Sequence, residues 1–209
     1  MILVIGNKNY SSWSLRPWLA LKALGIPFEE RRIALDQPNT KQDMLKHNPA
    51  GKVPCLIDGA NTVWDSLAII EYLAEKQPKL WPADAGARAR ARSVSAEMHS
   101  GFGAVRNNMP MNVRNRYPGK GRNAEVDAEV ARIDEIWSAA KKPLLFGAFC
   151  AADAMFAPVV FRFRTYQPPL SAASRAYLEA MLALPAMQEW SAAAEREAEV
   201  LSKYDELYA

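Results

Sequence analysis

Cysteine is nearly absent: Cys55 and Cys150 are the only two in 209 residues, too few for a disulfide framework. Histidine is as scarce, and His47 and His99 make no metal-binding spacing with a cysteine or a carboxylate pair. Neither sign of charge dominates, since 26 Lys and Arg face 23 Asp and Glu for a formal +3. That balance gives no reason to expect a nucleic-acid or membrane partner. The one basic loop, Arg114 to Arg122, carries a single aromatic and needs no ligand as a helix connection. Internal repeats and low-complexity tracts are missing. So is a signal peptide, because Met1-Ile2-Leu3-Val4-Ile5-Gly6 lacks a basic region and a small-residue cleavage site; it reads as a strand, with a cytosolic location expected. The longest apolar run, Leu144 to Phe161, approaches the length of a membrane span. Gly147, Asp153 and Pro158 interrupt it and Arg162 and Arg164 follow, so a helix buried in a protein core is expected instead.

What the chain does have is 50% hydrophobic and 23% charged residues, an ordinary globular composition able to bury a core in one or two modest domains. Its organising stretch runs from Lys52 to Tyr72. Pro54 cannot donate to a strand ladder and belongs at a strand's start or edge. Val53, before it, is pushed toward extended geometry and can offer its backbone N–H and C=O to an extended peptide, as a sheet edge does. Asp58-Gly59 and Ala60-Asn61 predict a hairpin turn. Leu67, Ile69, Ile70 and Leu73 then recur near a helical period, with Ser66 as the expected N-cap. A helix N-terminus attracts an anion and the Asp65 carboxylate attracts a cation, so the pair suits an amino-acid head carrying both charges. Read more plainly, Ser66 only caps and Asp65 only favours the helix dipole.

Around this stretch, Ile2–Ile5 reads as a buried strand. Ser14–Leu24 reads as a helix with Pro17 in its first turn and Gly25 as its stop. A second strand is expected over Phe28–Ile33, and a weak short helix runs up to Asn48. Residues 79–86, with Trp81-Pro82, have linker composition. Beyond them no strand signal is convincing, and helices are expected over Ala87–Met109, Ala124–Lys141, Ala151–Tyr166, Ala172–Leu184 and Ala186–Ser202. The organisation is therefore an α/β unit in the order β-α-β-α-β-β-α over residues 1–78, and an all-α unit over residues 87–209.

Val53-Pro54, followed eleven residues on by Asp65-Ser66 and the helix Ala68-Ile69-Ile70-Glu71-Tyr72-Leu73, resembles the glutathione-binding signature of the cytosolic glutathione transferases. Asn48-Pro49 upstream extends the match, which spans roughly the first eighty residues; Asp65 stands where many members have Glu or Gln. The resemblance implies a thioredoxin-like N-terminal domain, an all-helical C-terminal domain and a homodimer. It implies glutathione as co-substrate, a small hydrophobic electrophile, and no metal or nucleotide. It assigns Val53 to the cysteinyl backbone, Asp65 and Ser66 to the γ-glutamyl head, and Lys52 with Lys41 (or Asn39) to the glycine carboxylate. His99, Phe102, Arg106 and Met109 become candidates for the electrophile pocket, with core packing as the plainer reading.

In serine-type members a serine between the first strand and first helix donates its hydroxyl to the glutathione sulfur. A free thiol ionises near pH 8.5, and one hydroxyl donating to the thiolate is worth ~1.5–3 kcal/mol, roughly one to two pKa units. Ser11 is the candidate, Ser12 the runner-up, and Tyr10 fits less well. No cysteine lies in this loop, which argues against thiol–disulfide exchange. Ser11-Ser12-Trp13-Ser14 resembles the Ser-Ser-Cys-Ser loop of zeta-like isomerases of the maleylacetoacetate type, with Trp13 replacing cysteine. Three activities stay open: a transferase, a glutathione-dependent isomerase, and a transferase-like module without catalysis. Finally, Cys150-Ala151-Ala152-Asp153 stands where the family usually has Ser or Thr, two residues, then Asp, as a buried capping pair.

Overall fold

The computed structural model describes residues 1–208. Its first part alternates strands and helices: β1 (Ile2–Ile5), α1 (Ser12–Leu24), β2 (Glu29–Arg32), α2 (Thr40–Leu45), β3 (Cys55–Asp58), β4 (Asn61–Trp64) and α3 (Ser66–Lys76). This is the thioredoxin-like order. The four strands form one sheet in the order β2-β1-β3-β4, with β1 parallel to β2 and antiparallel to β3, and β3 antiparallel to β4. The pleat sorts the side chains. Leu3, Ile5 and Leu56 enter the main core with α1 and α3, while Val4 and Cys55 turn to the other face and pack with Ile33 and with Met44 of α2.

The rest is helical: α4 (Ala85–Ser100), α5 (Gly103–Asn108), α6 (Ala124–Ser138), α7 (Ala151–Tyr166), α8 (Ala172–Leu182), α9 (Pro185–Glu195) and the short α10 (Ser202–Asp205). Helix α7 is buried along nearly its whole length, which explains the apolar run in the sequence. Among the described residues no helix is long and apolar enough to cross a membrane.

Several boundaries differ from the sequence expectation; the helices expected to reach Lys141 and Leu184 stop at Ser138 and Leu182. The helix expected to run from Ala87 to Met109 is two helices. Gly101 passes so close to the Glu97 carbonyl that a Cβ there would lie 2.9 Å from its oxygen, and Phe102 takes a left-handed φ of 59°. The helix expected to reach Ser202 stops at Glu195, and residues 196–201 return irregularly to the loop after β1. Helix α1 begins at Ser12 instead of Ser14, so Pro17 lies in its second turn, where its missing N–H leaves the Trp13 carbonyl without a helical donor.

The N-terminus of α7 has the expected capping pair. The Asp153 carboxylate accepts from the backbone N–H groups of Cys150 at 2.9 Å and Leu145 at 3.1 Å, and from the Tyr177 hydroxyl at 3.2 Å. Burial pushes the Asp153 carboxyl up, and these three donors pull it back. The reciprocal arm is the Cys150 sulfur, a weak acceptor. Replacing it by Cys150→Ser is expected to stabilise the protein by about 1 kcal/mol, read as a higher midpoint in denaturant; an unmoved or lower midpoint would contradict the capping role.

Candidate active site

The loop between β1 and α1 is held by its backbone. The Ser11 N–H donates to the Asn7 carbonyl at 2.8 Å, and the Asn7 side chain accepts from the Leu35 N–H at 2.7 Å. Ser11 occupies the N-cap position of α1, yet its side chain makes no capping bond. Its Oγ lies 2.7 Å from the Ser14 Oγ. Ser12 is the first helical residue and is partly exposed.

The second wall comes from the Lys52–Ser66 stretch. The Val53–Pro54 peptide is cis. Among the described residues, neither the N–H nor the C=O of Val53 has a backbone partner. The expected N-cap of α3 needs correction, because Asp65 caps the helix and Ser66 is its first residue. The Asp65 Oδ1 accepts from the N–H of Leu67 at 2.8 Å and of Ala68 at 3.4 Å. Asp65 does so at a φ of 73°, a conformation that costs a non-glycine residue of order 1–3 kcal/mol and is characteristic of functional sites. The buried Ser66 hydroxyl instead accepts from the Arg16 guanidinium at 3.2 Å.

These walls bound one cleft in two halves, each of about 470 Å³. Lys52, Val53, Asp65 and Ser66 line one half. Ser11, Ser12 and Arg106 line the other. Trp13, Lys52 and Val53 belong to both. The sequence thus placed seven of its candidate residues on a single cleft.

Positive charge accumulates behind it. Arg16 is buried and donates to the Ser66 Oγ and the Met155 carbonyl. Arg162 is buried and donates to the carbonyls of Met109 and Arg106. Arg106 donates to the carbonyls of Met98 and His99. Every hydrogen-bond partner of the three is therefore a neutral oxygen. Burial disfavours the charge of Arg16, Arg106 and Arg162 add repulsion, and Asp65 opposes them. The Trp13 ring lies between two of these cations, 4.3 Å from the Arg16 Cζ and 4.8 Å from the Arg106 Cζ, a favourable packing for guanidinium groups.

Five candidates lie elsewhere or differently. Lys41 points its ammonium at the carbonyls of Ala50 and Gly51 and lines neither half. Phe102 and Met109 are buried in the core and line neither half. His99 faces Asp65 across the top of α3, with its Nε2 3.4 Å from the Asp65 Oδ2. Tyr10 borders the Ser11 half, but its hydroxyl is engaged by Asp205 and Arg114. Sequence reasoning missed Arg16, Trp13 and Arg162. An arginine in the otherwise apolar run Leu15–Leu21 was the available signal for Arg16. Among the described residues no cluster of His, Cys, Asp and Glu could hold a metal.

A family model described as the glutathione S-transferase N-terminal domain matches residues 10–76, and one for the C-terminal domain matches residues 101–193. The chain belongs to the cytosolic glutathione transferase superfamily. This transferase-family chain is 36% identical over 102 residues to a probable maleylacetoacetate isomerase of Caenorhabditis elegans, covering 48% of this chain and 47% of that one. It is 38% identical over 96 residues to a maleylpyruvate isomerase of Ralstonia, covering 43% and 45%. The match thus spans about half the length of these curated relatives. Among solved structures, a holo maleyl pyruvate isomerase described as a zeta-class bacterial member is 25% identical, with 96% of this chain and 100% of that one covered at a TM-score of 0.72. A glutathione transferase homolog from Burkholderia with bound glutathione, 23% identical, covers 94% and 98% at a TM-score of 0.72 and shows the shared fold.

The charge around His99 gives a pH prediction. Burial lowers its pKa, Asp65 raises it, and Arg16 and Arg106 lower it again, with a net fall below 6.5. Protons then bind the unfolded chain more readily, so this residue's contribution to stability is full above about 6.5 and is lost as pH falls from there through the lower folded-state value. His99 is expected to titrate below 6.5 by NMR, and lower still in Asp65→Asn; a midpoint above 6.5 in the folded protein would contradict this electrostatic balance.

Proposed function

We infer that the cleft binds glutathione as an extended tripeptide and activates its thiol as the thiolate. The γ-glutamyl ammonium meets Asp65, and its carboxylate meets Ser66 at the N-terminus of α3, with the Arg16 charge behind. The cysteinyl unit pairs with the free backbone groups of Val53, which leaves Lys52 for the glycine carboxylate. Ser11 donates to the sulfur, which then attacks an electrophile in the half lined by Arg106. Residues 1–78 form the glutathione domain and 87–209 the electrophile side; detoxification, a cytosolic location and a homodimer complete the reading. The observation that carries it is the Ser11 hydroxyl, unused as a cap, beside a Val53 backbone without partners. Titration of the bound thiol is expected to give a pKa about one to two units higher in Ser11→Ala than in wild type. An unmoved value would transfer the role to Ser12.

A second reading, glutathione-dependent cis–trans isomerisation of an acidic enedione or enedioate, is favoured by the guanidinium cluster and by the names of the relatives. The thiolate adds to one alkene carbon, and the π electrons move onto the conjugated carbonyl as an enolate. The resulting C–C single bond rotates, and expulsion of the thiolate restores the alkene, so glutathione is not consumed. Arg106 is the group positioned to hold a substrate carboxylate. Arg106→Gln should raise KM about tenfold or more for maleylacetone, the loss of one charged hydrogen bond, and should leave KM for a neutral electrophile within about twofold. Equal effects on both substrates would remove Arg106 from substrate binding.

A further inference from the structure

The reading of Ser11 as thiolate donor leaves open what aims its proton, and the surrounding hydrogen bonds answer this. Ser14 is fully buried on the first turn of α1. Its Oγ accepts from the backbone N–H of Gly6, at the end of β1, at 3.1 Å, and its neighbour on the other side is the Ser11 Oγ at 2.7 Å. A hydroxyl carries one proton. Were Ser11 the donor of this pair, Ser14 would accept twice and its own proton would lie buried without a partner, a costly arrangement. With Ser14 as donor every group is satisfied: Gly6 N–H donates to Ser14, Ser14 donates to Ser11, and the Ser11 proton is free to point into the cleft.

We propose that Ser14 is a positioning residue that fixes Ser11 as a donor, so that a chain from the Gly6 amide through Ser14 to Ser11 ends on the glutathione sulfur. Each bond polarises the next, and with the Ser14 proton on one lone pair of the Ser11 oxygen, the Ser11 proton is the one left to meet the sulfur. The proposal rests on the Ser11 reading, and a double-mutant cycle separates the two. Bound-thiol pKa is measured for wild type, Ser11→Ala, Ser14→Ala and the double variant, with affinity for S-methylglutathione as the control for general damage to the site.

Ser14→Ala is expected to raise the thiol pKa by about half a unit, roughly threefold less thiolate at a pH well below it, and to change S-methylglutathione affinity less than about twofold. In the Ser11→Ala background the same substitution should add nothing. Ser14→Cys, which keeps most of the volume and a poor donor, should act in the same direction if Ser14→Ala does not fold. An unmoved thiol pKa in the Ser14 variants, or an equal shift with and without Ser11, would overturn the relay while leaving Ser11 in place. Loss of S-methylglutathione binding would reduce Ser14 to a structural residue. No shift in Ser11→Ala would remove both the relay and the reading beneath it.

Discussion

A buried guanidinium lies at the junction of the two parts of this molecule. Arg16 leaves α1, reaches the Ser66 hydroxyl at the start of α3 and the Met155 carbonyl in α7, and carries Trp13 against its face. A charge taken out of water is costly unless its donors are satisfied and an opposite charge is near. Here the donors meet neutral oxygens and Asp65 is the carboxylate that favours the charge; on the proposed reading, a ligand carboxylate in the cleft above α3 would add to that compensation. On that reading, an α-carboxylate at the helix N-terminus would be stabilised by the dipole and by the cation below it, with Asp65 beside it for the adjoining ammonium.

The same economy of elements governs the sulfur. The β1–α1 loop is pinned by main-chain bonds, and Ser11, at the cap position of α1, makes no capping bond and pairs its hydroxyl with Ser14 instead. The other wall offers backbone instead of side chains, because the chain at Val53 runs outside the ladder that begins at Cys55. A peptide lying between the walls therefore meets main chain at its middle and charge at its two ends. The helical part closes the far side with Arg106 and Arg162. This makes that half of the cleft more cationic than a pocket for a purely hydrophobic electrophile requires.

Much of this was legible in the sequence where local chemistry decides the structure. The alternation of strand and helix through Tyr72 follows from apolar period and turn residues, and the Val53-Pro54 to Asp65-Ser66 spacing located both arms of one wall. Helix α7 matched its expected ends because Cys150 and Asp153 mark its start. What could not be read was long range. Ser66 looked like a cap because serine usually is one, but Arg16, fifty residues earlier, claims its hydroxyl and Asp65 takes over the capping. The break at Gly101-Phe102 depends on close approach to the Glu97 carbonyl, which a smooth helical period hides. Lys41, Phe102 and Met109 carried plausible residue types at plausible positions, yet the fold gives them to loop support and core.

The central claim is geometric: one tripeptide along Val53, its head at Asp65 and Ser66, its sulfur at Ser11. A crystal structure with glutathione at saturating concentration tests it most directly. The account predicts two main-chain hydrogen bonds between the cysteinyl unit and Val53, and a sulfur about 3.5 Å or less from the Ser11 Oγ. An empty cleft beside Asp65 and Ser66, or a sulfur turned away from Ser11, would contradict it.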